Sequence, residues 1–170
     1  MSSSSWQPSP NASPKVRVAV SYVDALSSWT HHDSPARRRD SFAALFAPNL
    51  EHRILPRCLS RPVLNKKQYI EYIEQLMPMF AEIQFTIHEL LEIDDVVVFH
   101  GSSKGWSVTN SPYENEFMVI LQFTTLEDDL NLPPQIVRAK EFVDSETCRA
   151  FFKAERERIK TASRSTAAGS

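Results

Sequence analysis

The sequence predicts an α+β domain in which helices come first and a run of antiparallel strands follows. Three observations predict it. Up to Phe80 the apolar residues recur mainly at helical spacing, interrupted by one short alternating stretch. From Glu82 the period drops to two and stays there through four long segments. A last helical pattern then closes the chain. Helices and strands segregated along the sequence mark the α+β class.

Each element has its own signal. Over Val16–Trp29, Val18, Tyr22, Ala25 and Trp29 fall on one helical face, and Pro14 suits the helix start. A second helix is capped by Ser34, opened by Pro35 and striped by Phe42, Leu45 and Phe46, with Pro48 as its stop. "NLEHRILP" alternates, with Leu50, His52 and Ile54 on one face, and reads as a strand. Asn65 caps a third helix whose face carries Tyr69, Ile73, Leu76 and Met77, limited by Pro78. "EIQFTIHELLEI" and "DDVVVFHGSSKGWSV" flank the Asp94-Asp95 turn and form a hairpin. "YENEFMVILQFT" and "QIVRAKEFVD" are two further strands. A final helix offers Ala150, Phe151 and Ala154 to one end of the sheet.

Of the 170 residues, 1–13 are rich in serine and proline and read as a disordered tail, as do residues 161–170. Residues 14–160 are the right size for one domain. The net charge of −2 argues against nucleic acid or an anionic membrane as partner, because either needs a basic surface. Two cysteines make no disulfide framework, and the five histidines show no metal-ligand spacing, so no metal is expected. The polar start has no secretory signal and no run is long enough to span a bilayer, which predicts a cytoplasmic protein.

Strand parity singles out candidate site residues. In Ile136–Asp144, Arg138 and Lys140 share a face and prefer solvent, so Glu141 points inward beside Val137, Ala139 and Val143. In the strand before it, Asn115 and Phe117 share the inward face. His100 and Ser102 share a face with Val96 and Val98, which places them inward too. His52 lies between Leu50 and Ile54. These groups can converge on one apolar cavity with a few polar contacts, the usual form of a small-molecule site. Tyr22 is expected to contribute to that wall, and Trp106 to its mouth.

The element order, together with "YENEF" at Tyr113–Phe117 and "EFVD" at Glu141–Asp144, resembles the SnoaL-like family of the nuclear transport factor 2-like superfamily. The resemblance implies a cone: a strongly curved, mostly antiparallel sheet wrapped around the N-terminal helices. It implies an acid at the end of the last strand as general base, matched by Asp144 or by the inward Glu141. The family's glycine turn before that strand is replaced here by the longer "LEDDLNLPPQI". An epoxide-hydrolase arrangement would need an inward arginine, whereas Arg138 is expected to point outward.

Two readings follow. One is a cofactor-independent cyclase or isomerase acting on a polyketide- or terpenoid-like small molecule in secondary metabolism. In it Glu141 or Asp144 is the base, His52 and His100 assist, and Asn115, Phe117, Ser102, Tyr22 and Trp106 hold the substrate. The other is a non-catalytic ligand-binding or protein-interaction cone. Helix capping would then explain Asp144, and core hydrogen bonding the histidines. In either case apolar Met118, Ile120 and Phe142 on the outer sheet face predict a homodimer.

Overall fold

The computed structural model describes residues 6–31, 34–124 and 133–168. Four helices, α1 (Pro14–Ser27), α2 (Pro35–Ala44), α3 (Lys66–Leu76) and α4 (Ser145–Ala168), pack with five strands. These are β1 (Phe46–Leu55), β2 (Phe80–Ile93), β3 (Val96–Ser107), β4 (Pro112–Phe123) and β5 (Ile136–Val143). The replaced glycine turn falls largely in 125–132, outside the described residues.

The helix starts form where the side chains can satisfy free backbone N–H groups. The Ser13 hydroxyl accepts from the Val16 amide and that of Ser34 from the Arg37 amide. Asn65 and Gln68 make a reciprocal capping box at α3, each side chain accepting from the other's amide at 3.0 Å.

β1 starts earlier than the sequence pattern suggested. Leu45 ends α2 and Phe46 already belongs to the strand, so Pro48 lies inside a strand rather than stopping a helix. Two features make this tolerable. β1 is an edge strand, and its pairing register shifts between Phe46 and Glu51, around the proline that cannot donate to a ladder.

The sheet runs β1-β5-β4-β3-β2 and does not close. All neighbours pair antiparallel except β1 with β5, which is parallel. That pairing places Glu141 beside Ile54 of β1 and Val119 of β4. Register irregularities also interrupt β2 twice and β5 once, at Val137 opposite Gln122 and Phe123. Such bulges bend and twist strands, and here they curve the sheet around the helices. The Asp94-Asp95 turn joins β2 to β3, with Asp94 at φ 53°.

The core lies inside this curve. Tyr22, Phe42, Phe46 and Tyr69 form one aromatic cluster between helices and sheet. A second, Phe80, Tyr113, Phe151 and Phe152, seats α4. Ala150 is exposed, whereas Phe152 and Glu155 are buried, so α4 is turned from the face expected. The Glu155 carboxylate is tolerated at full burial because Thr109 Oγ1 donates to it at 2.7 Å and Arg158 pairs with it. α4 also continues through Ala168, where a frayed tail was expected from Thr161. At the other end, the Trp6 amide already donates to the Ile87 carbonyl at 3.3 Å, within the tail expected to be disordered. No described helix is long and apolar enough to cross a membrane.

Candidate active site

A cavity of about 220 Å³ opens between α3, α4 and the concave side of the sheet. Glu141 of β5 lines it and supplies its one carboxylate among the described residues. Aromatic and aliphatic side chains make most of the wall, including Phe80 and Ile83 of β2 and Ile73 and Leu76 of α3. Phe117 reaches in across Gly101. A Cβ at that glycine would fall 2.7 Å from the Phe117 ring and 2.6 Å from the Thr86 carbonyl oxygen, so β3 must be bare there.

Burial sets the protonation of this site. It pushes the Glu141 carboxyl up to about 7, because the charged form loses solvation in an apolar wall. Behind it sits His52, fully buried, its ring stacked on Tyr69 with centroids 3.7 Å apart. His52 Nε2 lies 3.5 Å from Glu141 Oε2, and neither ring nitrogen is aligned for a hydrogen bond. Burial lowers the imidazole to about 3. The two groups therefore face each other as neutral histidine and a carboxyl that titrates near neutrality, not as a fixed ion pair.

Three tyrosines surround the carboxyl. Tyr69 and Tyr72 come from α3, spaced three apart so that both reach the cavity, and Tyr113 comes from β4. Burial raises all three phenols, Tyr72 to about 12, so each stays a hydrogen-bond donor at neutral pH. Tyr69 shares a 2.8 Å bond with Tyr22, and Tyr113 contacts the Cys148 sulfur at 3.6 Å. Tyr72 makes no hydrogen bond among the described residues; its ring faces the Arg61 guanidinium at 5.8 Å.

The remaining expected site residues fall into two groups. Asn115 and Phe117 line the cavity. The Asn115 amide is spent on the β5–α4 junction, donating to the Asp144 carbonyl at 3.1 Å and accepting from the Asp144 amide at 3.3 Å. Tyr22 is buried behind Tyr69 and serves the site only through that hydroxyl.

His100, Ser102, Trp106 and Asp144 lie elsewhere. In β3 the inward residues are Val97, Phe99, Gly101, Ser103 and Gly105, so His100, Ser102 and Trp106 face out. His100 pairs with Glu116 at 2.7 Å, Ser102 bonds His88 at 2.8 Å, and Trp106 is half exposed. Parity misled because two inward positions are glycines, while valines and a histidine on the outer face look like a core stripe. Asp144 caps α4. Its carboxylate accepts from the amides of Glu146 and Thr147 and from the Thr147 hydroxyl at 2.6 Å. Those bonds hold it below the usual carboxylate range, the wrong direction for a base near neutrality.

Sequence reasoning did not single out Tyr72 or Tyr113 as site residues, nor Arg61, Arg149, Lys153 and Arg156, the exposed cations of the cavity lining. A usable signal was present: 149, 153 and 156 repeat at helical spacing beside the inward stripe of Cys148, Phe152 and Glu155.

The fold is that of the SnoaL-like, nuclear transport factor 2-like proteins. Among solved structures, the chain matches the BvnE pinacolase from Penicillium brevicompactum at a TM-score of 0.67 and 22% identity, over 87% of this chain and 96% of that one. It matches PrhC from Penicillium brasilianum NBRC 6234 at 0.69 and 20%, over 86% and 90%. A protein from Jannaschia sp. CCS1 assigned as a SnoaL-like polyketide cyclase matches at 0.60 and 14%, over 82% and 91%. At these identities the likeness is one of fold. No protein-family model matches the chain, and no curated protein matches its sequence.

Proposed function

We propose that the protein is a cofactor-independent acid–base enzyme, an isomerase or cyclase that rearranges the skeleton of a polyketide- or terpenoid-like small molecule. The observation that carries this reading is Glu141: a single carboxyl in a cavity of apolar and phenolic groups, titrating near 7. A base of that pKa is half ionised at neutral pH and can both take and return a proton. Glu141 removes a proton from carbon next to a carbonyl. The electron pair moves onto the carbonyl oxygen, and Tyr72 or Tyr113 holds the enolate by hydrogen bonding. The protonated Glu141 then returns the proton to another carbon, or the enolate closes a ring on a second carbonyl. His52 positions the carboxyl from behind without carrying charge. Two fold neighbours bear the names pinacolase and polyketide cyclase, which suits skeletal rearrangement. The same proposal pairs two copies through the outer sheet face.

The test is deletion of the gene in its host, followed by complementation and metabolite profiling. Wild type should restore the lost product, and Glu141→Gln should not. The compound that accumulates should share the product's molecular formula, or exceed it by one water if ring closure dehydrates. Accumulation of a compound differing by two hydrogens or one oxygen overturns the reading. Full complementation by Glu141→Gln leaves a ligand-binding cone instead.

A further inference from the structure

The cavity is polarised along its length. One end is apolar and phenolic and holds Glu141. The other is bordered by Arg61, Arg149, Lys153 and Arg156. Arg61 comes from the segment after the short turn Arg57–Leu59, while the other three project from one face of α4 at positions i, i+4 and i+7. All four are exposed, and none has a carboxylate partner among the described residues. Arg149 donates to the Cys58 carbonyl at 2.6 Å, and Arg61 lies over the Tyr72 ring.

This local charge runs against the chain as a whole. The protein has net charge −2, and elsewhere on its surface cations commonly stand beside acids: Arg53 with Glu51, Lys104 with Glu114, Lys160 with Glu157. At the mouth four cations converge with no carboxylate lining the cavity beside them except Glu141. Glu146, one turn before Arg149, lines an adjoining depression with Arg149 and Lys153 but forms no ion pair with either among the described residues. Unpaired cations held together cost repulsion, and a bound anion relieves it. Arg61 and Arg156 both favour ionisation of Tyr72, whereas at Glu141 burial is the governing influence.

We propose that the ligand of this cavity carries a carboxylate at one end, held at the mouth by Arg61 and Arg156 with Arg149 and Lys153 flanking. Its apolar skeleton extends past Tyr72 to Glu141. This rests on the cavity being the substrate site, and adds that the substrate is an acid. Two arginines offer planar paired donors matched to a carboxylate. Anchoring one end there fixes which carbon reaches Glu141, which a mostly apolar wall alone does poorly.

The experiment compares two probes of equal size and shape, 1-naphthaleneacetate and 1-naphthaleneacetamide, by calorimetric titration of the full chain at about pH 6. There the acid probe is ionised and Glu141 keeps its proton. The carboxylate should bind at least about tenfold more tightly than the amide at low salt, an advantage that shrinks as salt rises. The double variant Arg61→Gln/Arg156→Gln should lose that advantage while binding the amide as before, which also shows that it is folded. Equal affinity of wild type for both probes, or an advantage that survives in the double variant, overturns the inference and leaves the cavity reading standing. Binding of neither probe overturns both.

Discussion

A buried acid whose folded-state pKa lies above its unfolded value makes stability fall as pH rises between the two. Glu141 is such a group: it titrates near 7 in the fold and near 4.3 in an unfolded chain. Between those values the folded state binds more protons, so stability is full below about pH 4 and declines up to about pH 7. His52 has the opposite sign. Its folded value near 3 lies below the ordinary 6.5, so it lowers stability as pH falls from 6.5 towards 3. The two partly cancel in wild type. Glu141→Gln removes only the first, so the variant should gain stability relative to wild type as pH rises from 4.5 to 7, by on the order of 2–3 kcal/mol. Thermal unfolding of both proteins across that range measures it. A constant difference would show that the carboxyl is solvated. Glu141 was legible in the sequence because Arg138 and Lys140 fix the parity of β5. His52 and His100 were both candidate neighbours for it, and the sequence could not choose between them, because the His52 contact depends on β1 lying parallel beside β5, a long-range pairing with no local signature.

At the scale of elements, most helix starts were legible because their caps are local chemistry, whereas β3 was misread because its face is decided by neighbours. The outward row of Val96, Val98 and His100 is as apolar as the inward one, and Gly101 and Gly105 owe their places to Phe117 and the β2 backbone, which periodicity cannot see. The junction of β5 and α4 tests the revised assignment. Asp144 caps the helix that carries the cationic mouth; its backbone meets Asn115 of the cavity wall, while its carboxylate bonds only to Glu146 and Thr147 in the first turn of the helix. Asp144→Ala should lower the melting temperature by a few degrees through loss of the cap. Turnover per folded molecule should be unchanged. Asp144→Ser, which can still accept from the helix amides, should recover most of the loss. Abolished turnover in a folded Asp144→Ala protein would return the base to the end of β5.

For the whole molecule, the α+β order followed from the switch of period at Glu82 and the curved sheet from the resemblance to the SnoaL-like family, and the cavity is the space that curvature leaves unfilled. The convex side poses the remaining question. Met118 and Phe142 are direct cross-strand partners at the centre of the outer face, and both are almost half exposed. Trp106 and Val98 of β3 are on the same side. Apolar pairs at the middle of a sheet face are costly in water and are commonly covered. A second copy meeting this one face to face about a two-fold axis would cover both sets at once. That arrangement leaves the mouth formed by α3 and α4 open to substrate, because the mouth lies on the concave side. The protein should therefore sediment as a pair of 19.4 kDa chains at micromolar concentration. Met118→Glu should shift it to monomer, since two like charges would be buried across the axis. Glu116→Gln is the control: Glu116 pairs with His100 on the same face without adding apolar area, so the dimer should survive its loss. Wild type sedimenting as a monomer at tens of micromolar would remove the outer face from the interface.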